Sequence, residues 1–220
     1  MLYKASYFEP LGETRIELVA NTHSDSWPML RRLNFRKMPI DLATQSVPLA
    51  TAILTHAYCG DVFEFAGLKI GSDYADAIRA LLPAQANVIN VDGFNRSFST
   101  GEVDIAVNRA GKAATSEPHA GSVPLARVDW SGDFVDVATR NSAGFAFGAV
   151  QTNAALFADP FSVSVAVGLL YGRDRCGKLF VSPPATDRKH FEAVSEALRI
   201  VGVTLVATLV DEQPALARAG

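Results

Sequence analysis

The stretch DVFEFAGLKIGSDYADAIRALLPAQANVINVDGFNRS, residues 61 to 97, constrains the fold more than any other part of the chain. Val62 to Ile70 is strand-like. Gly71 and Ser72 turn the chain, and Tyr74, Ala77, Ile78, Leu81 and Leu82 fall at helical spacing between Asp73 and Leu82. Pro83 ends that helix, and Asn87 to Val91 supplies a second strand. A strand-helix-strand unit of this length predicts two parallel strands joined by a right-handed crossover, with Gly67 as the point where the first strand could instead fold into a hairpin. In open α/β sheets, ligands bind beyond the carboxyl ends of the parallel strands, where loops and helix N-termini gather. Two turns are therefore expected on one edge, Gly71 to Asp73 and Asp92 to Arg96. Ser72, Asp73, Asp92, Asn95 and Arg96 become the candidate ligand-binding residues. Free amides at Ser72 favour an anion, and Asp73 opposes one unless a cation or Arg96 lies close by. The competing expectation is that Ser72 caps its own helix and DGFN is a plain turn.

Around this unit the sequence predicts an α+β, mixed α/β fold. Leu2 to Phe8 and Thr14 to Ala20 alternate across a Pro10 and Gly12 turn and read as a hairpin. Residues 46 to 60 read as a helix with Ser46 as N-cap and Gly60 as stop. From residue 97 the texture changes to short alternating runs, EVDIAV, LARVDW, DFVDVA, GFAFGA, FSVSVAVGLLY and KLFVSP, separated by turn residues. That pattern predicts an antiparallel, β-rich second part, closed by a helix from Asp187 to Arg199 capped by Thr186 and a strand from Val203 to Val210. One domain over 1–220 is expected, with a subdivision into 1–107 and 123–220 at the apolar-poor segment 108 to 122 as the alternative.

The segment GRDRCGK, residues 172 to 178, has the G-x-x-x-x-G-K skeleton of a phosphate-binding loop. Such a loop needs a Ser or Thr after the lysine and a helix whose first amides face the phosphates. Here Leu179 follows, and KLFVSPP is β-like, so the segment is expected to be a hairpin turn. Arg173, Arg175 and Lys178 flank Cys176, a setting that lowers a thiol's pKa and makes Cys176 the reactive-thiol candidate. His56 and Cys59 lie one helical turn apart and could hold a metal with Cys176 or His190, but the second pair usual in zinc sites is missing, so no metal is expected. Glu102 with Asp104, and Asp129, Asp133 and Asp136, are carboxylates suited to a divalent ion or acid-base work. They are equally what a solvated strand face displays. WPMLRRLNFRKMP, residues 27 to 39, interleaves Trp27, Leu30, Leu33 and Met38 with Arg31, Arg32, Arg36 and Lys37. It could offer a basic strip to phosphates or an acidic partner.

Composition bounds the function. Net charge is −3, which argues against a general nucleic-acid binder. MLYKASYFEP shows no secretory signal, and the apolar run at 161 to 171 is about half the roughly 20 residues that span a bilayer. No membrane partner is therefore expected. Two cysteines are too few for a disulfide framework, so a cytoplasmic location is the simplest expectation. With 49% hydrophobic and 20% charged residues, self-association as a homo-oligomer is expected. No G-x-S-x-G, H-E-x-x-H or paired C-x-x-C motif names a reaction or a cofactor. The sequence therefore supports a cytoplasmic protein that binds a small anionic metabolite or nucleotide at the 71–73 and 92–96 edge. Its alternative is a non-enzymatic assembly protein associating through apolar β surface.

Overall fold

The computed structural model describes residues 1–8, 12–19, 31–36, 40–94, 98–109, 122–129, 148–184 and 186–208. The hairpin forms as expected. β1 (Leu2–Phe8) and β2 (Glu13–Val19) pair antiparallel over their whole length, from Leu2 opposite Val19 to Phe8 opposite Glu13. β3 (Arg32–Arg36) adds antiparallel to β2. Alternation along these strands turns Tyr3, Ile16, Leu18, Leu33 and Phe35 inward, where all are buried.

α1 (Ser46–Thr55) is apolar all round, and each of its ten residues is buried. A helix without a polar face can only lie inside the protein. α1 packs against two of the helices that follow it in sequence, and the hydroxyl of Tyr3 on β1 lies 2.8 Å from Thr55 Oγ1 at its end. Ser46 does not cap it. The N-cap is Gln45, whose side chain makes no capping bond, and a 3₁₀ turn over His56–Tyr58 ends the helical stretch before Gly60.

The strand-helix-strand unit forms with parallel pairing, and both of its strands are broken. Gly67 adopts φ +81° and divides the first into β4 (Val62–Phe65) and β5 (Ile70–Gly71). α2 (Ser72–Leu81) follows, and Asn90 at φ 59° divides the second strand into β6 (Asn87–Val88) and β7 (Val91–Asp92). The two breaks match, so β4 runs parallel to β6 and β5 parallel to β7. Gly67 therefore interrupts the strand without reversing it.

The second part contains both helices and strands, within an α+β fold overall, but its strands pair parallel. β8 (Val103–Arg109), β9 (Val123–Asp129) and β10 (Gly148–Thr152) lie side by side in parallel. FSVSVAVGLLY, expected as a strand, is the body of α3 (Pro160–Gly172). Its alternating valines imitate a strand, yet Asp159 takes the amides of Phe161 and Ser162 at 2.9 and 3.2 Å and Pro160 occupies the first turn, a helix-starting pair. α3 carries the chain back across the sheet so that β11 (Cys176–Val181) pairs parallel with β8. α4 (Arg188–Ile200) then leads to β12 (Thr204–Ala207), parallel to β11. Asp187, one residue later than expected, caps α4 by accepting from His190 N. Among the described residues the result is one ten-stranded sheet, in order β12-β11-β8-β9-β10-β3-β2-β1-β4-β6, with β5 and β7 as a separate pair. Of the expected strands, DFVDVA and most of GFAFGA lie outside the described residues, as do 110–121 of the expected loop and 209–210 of the last strand.

Glycines set how closely α3 approaches this sheet. A methyl group at Gly168 would stand 2.3 Å from Leu179 Cδ1, and one at Gly172 would stand 2.5 Å from Ile105 Cδ1. Both contacts are well inside van der Waals range, so a side chain at either position would have to displace Leu179 or Ile105 for the helix to keep its seat on β8 and β11. Among the described residues no helix is long and apolar enough to cross a membrane.

Candidate functional site

The expected edge forms in part. Pairing of Gly71 with Asp92 brings the two turns together, while Asn95 and Arg96 lie outside the described residues. What is described there is already engaged or acidic. Gly71 N donates to Gln45 Oε1 at 2.8 Å, Gln45 Nε2 donates to Lys69 O, and Asp92 Oδ1 accepts from Phe94 N. Ser72 opens α2 as its first residue, with Gly71 in the N-cap position. Asp73 lies in the first turn, and its Oδ2 is enclosed with no hydrogen-bond partner. A third carboxylate comes from Asp174, which accepts from Gln45 N at 2.9 Å, Ser46 N at 2.8 Å and the Tyr74 hydroxyl at 3.2 Å. The amides that open α1 thus already hold an anion, supplied by the chain itself. Burial, and then the charge of Asp174, push the Tyr74 phenol well above its ordinary pKa.

Asp174 belongs to GRDRCGK, and the structure corrects the expected hairpin. The segment joins the end of α3 through a 3₁₀ turn (Arg173–Arg175) directly to β11. No helix opens at Gly177, so the geometry of a phosphate loop is absent. A Cβ there would stand 2.8 Å from Gly101 O. Cys176 is fully buried, and burial followed by the charge of Asp104 pushes its thiol up to about 12, opposite to the direction expected from its cationic neighbours. Two of those neighbours are turned elsewhere. Arg175 pairs with Glu102 at 2.9 Å and Lys178 with Asp104 at 4.0 Å, which also accounts for the two carboxylates on that strand face.

The metal constellation does not assemble either. Cys59 is buried and bonds Val62 O, while His56 stacks on His190, with ring centres 4.8 Å apart. Among the described residues no three His, Cys, Asp or Glu side chains are grouped to hold a metal ion. The side chain of Asp129, and Asp133 and Asp136 altogether, lie outside what is described. His190 does meet Ser162, whose Oγ is 2.7 Å from its Nε2. Nothing in the sequence ties these positions, because the contact depends on how α3 and α4 dock. Ser162 is fully buried and donates its proton to Asp159 Oδ2 at 2.5 Å. Its oxygen is therefore an acceptor for His190, and the group lacks the serine-to-imidazole proton path of a nucleophile with its base.

The basic segment gives the most open chemistry. Residues 32 to 36 become β3, whose inward face carries Leu33 and Phe35 and whose outward face carries Arg32, Asn34 and Arg36. Register sets Arg36 opposite Glu13 and Gln151, Asn34 opposite Arg15, and Arg32 opposite Glu17. Glu13 is almost fully buried and takes Arg15 Nε at 2.7 Å and Arg36 Nε at 2.5 Å. Burial raises its pKa, but the hydrogen bonds and charges of the two arginines outweigh that and hold it below the usual carboxylate range. Asn153 braces the end of β3 by accepting from Asn34 N at 2.8 Å and donating to Arg32 O at 2.9 Å.

Glu17, Leu18, Val19, Arg31, Arg32, Asn34 and Asn153 line a cavity of about 570 Å³ on this face, within the usual range for small-molecule sites. Asn34 Oδ1 is enclosed there with no hydrogen-bond partner, and Gln151 Oε1 is in the same condition further along the face. Among the described residues Arg15 and Arg36 pair with Glu13, and Arg32 Nη2 donates to Glu17 Oε1 at 2.7 Å at the rim of the cavity. Compared with protein-family models, curated proteins and solved structures, the chain matches none.

Proposed function

We propose that this protein binds a small anionic ligand in the cavity over β2, β3 and the end of β10. The observation that carries this is that Arg31 and Arg32 line the same cavity as Asn34, whose enclosed acceptor oxygen has no partner, a set that suits a ligand carrying both an anionic group and a hydroxyl or amine donor. Enclosing an amide oxygen without a partner costs roughly 1–3 kcal/mol, a cost that a hydrogen-bond donor on the bound molecule removes. Guanidinium groups offer forked donors that match carboxylate and phosphate oxygens. The edge at Ser72, Asp73 and Asp92 is the weaker location, because Asp73, Asp92 and Asp174 crowd it with negative charge. A thermal-shift titration with orthophosphate, sugar phosphates, nucleotides and dicarboxylates tests the reading. The expected result is a saturable rise in Tm for at least one anion, weakened by salt and by Arg31→Ser. No rise with any of them, or a rise unchanged in Arg31→Ser, overturns it.

A second reading, self-association, is favoured by Phe94, which is fully exposed, together with the exposed Phe98 and Ile89. Ile89 directly follows β6, the terminal strand of the sheet. Sedimentation velocity at micromolar concentration is expected to show a dimer or larger species that Phe94→Ser with Phe98→Ser converts to monomer. A monomeric parent protein excludes it.

A further inference from the structure

Three helix ends meet at His190. Its backbone N–H donates to Asp187 Oδ1 at 2.9 Å in the first turn of α4, and its ring stands 2.7 Å from Ser162 in the first turn of α3. The other face stacks on His56, just beyond α1, with 20° between the rings, and Phe161 meets it edge-on at 5.9 Å. His56 Nδ1 lies 3.1 Å from Ile53 O. The imidazole of His190 is only 14% exposed. Because the Ser162 proton goes to Asp159, the neutral His190 ring donates from Nε2 to the Ser162 oxygen, and the hydrogen bonds close around an uncharged ring.

We propose that this cluster is an acid-responsive latch, in which a proton on His190 loosens the first turn of α4 from α1 and α3. The geometry supplies the reasons. A charged ring would sit at the positive N-terminal ends of α3 and α4 and the negative C-terminal end of α1, largely out of water and stacked on a second imidazole. Asp159 and Asp187 favour the charge, with Asp159 Oδ2 at 3.7 Å from Nε2, and Arg188 on the same turn is exposed and paired with Glu192. Burial, and then His56, outweigh the two carboxylates and hold His190 below its ordinary range. The folded state thus binds fewer protons than the unfolded one. The latch is intact above the ordinary histidine pKa of about 6.5, and its contribution is lost as pH falls from there through the folded-state value.

The test is amide hydrogen exchange over residues 186–195 of the full chain, expressed as protection factors at pH 7.5 and pH 5.5, beside NMR titration of the His190 ring. Protection in the first turn of α4 is expected to fall several-fold on acidification and to fall less in His190→Gln, which keeps a donor for Ser162 but takes no charge. In His56→Gln the His190 titration is expected to move upward and the loss of protection to shrink. Equal loss of protection in the parent protein and His190→Gln overturns the proposal. Should His190→Gln fail to fold, an unmoved His190 titration in His56→Gln does so instead.

Discussion

The joint between α3 and β11 and the outward face of β2, β3 and β10 both pair charges within the chain but differ in how completely their enclosed polar groups are partnered. At the joint the Asp174 carboxylate accepts two amides and a hydroxyl, Glu102 takes Arg175 and Asp104 takes Lys178. On the sheet face, Asn34 and Gln151 each enclose a side-chain oxygen that bonds to nothing. The sequence draws the eye to the first region, because glycines and a lysine at that spacing spell a phosphate loop. The physical difference assigns the roles otherwise. Both regions pair their charges within the chain, so what separates them is the enclosed polar atoms without partners on the sheet face, which leave interactions for another molecule to complete.

The sharpest way to break this contrast is Asp174→Ala. It leaves Gln45 N, Ser46 N and the Tyr74 hydroxyl without their acceptor at the start of a helix that is buried throughout. Loss of a charged cap and abandonment of partly buried donors together predict about 3 kcal/mol of destabilisation, on the order of 9 °C in Tm, measured by chemical and thermal unfolding. Asp174→Asn keeps one acceptor oxygen and is expected to lose less than half as much. If Asp174→Ala costs under about 0.5 kcal/mol, within the range of an ordinary surface change, the joint is not what closes α1.

How much of this was legible follows from which signals are local. The β1–β2 hairpin, α1, α2, α4 and the parallel pairing around α2 all follow from spacing and punctuation within short windows. Pairing direction in the second part does not, since an alternating run such as EVDIAV looks the same beside a parallel or an antiparallel neighbour. For α3 the local signal is Asp159 with Pro160, which marks a helix start ahead of valines that imitate a strand. Correct placement of α3 would have removed the hairpin and made the connections around β11 crossovers. Of the candidate site, Arg31, Arg32 and Arg36 were visible as a basic strip with Leu33 inward. The cavity was not, because it depends on Asn153, more than a hundred residues away, reaching Asn34 across the β10–β3 pairing. The fate of Cys176 was equally hidden. Flanking cations suggest a lowered pKa only until the fold buries the sulfur and turns Arg175 and Lys178 toward Glu102 and Asp104.

The contrast is sharpened most by a substitution with little effect on stability. Asn34→Leu removes an enclosed amide oxygen that has no partner, while the backbone N–H of residue 34 keeps its bond to Asn153. Replacing an unsatisfied polar group with an apolar one of similar size is close to neutral, so stability is expected to change by less than about 1 kcal/mol, with a gain as the favoured sign. The same change takes away a group argued to meet the ligand, so the anion-dependent rise in Tm should fall by more than half. Both outcomes come from one titration, since the ligand-free Tm reports the first and its increase with anion the second. A stabilised variant that has lost the increase is the signature of a side chain kept for binding at some expense of stability. A variant destabilised by well over 1 kcal/mol, with its anion response intact, would instead make Asn34 a structural residue and dissolve the difference between the two regions.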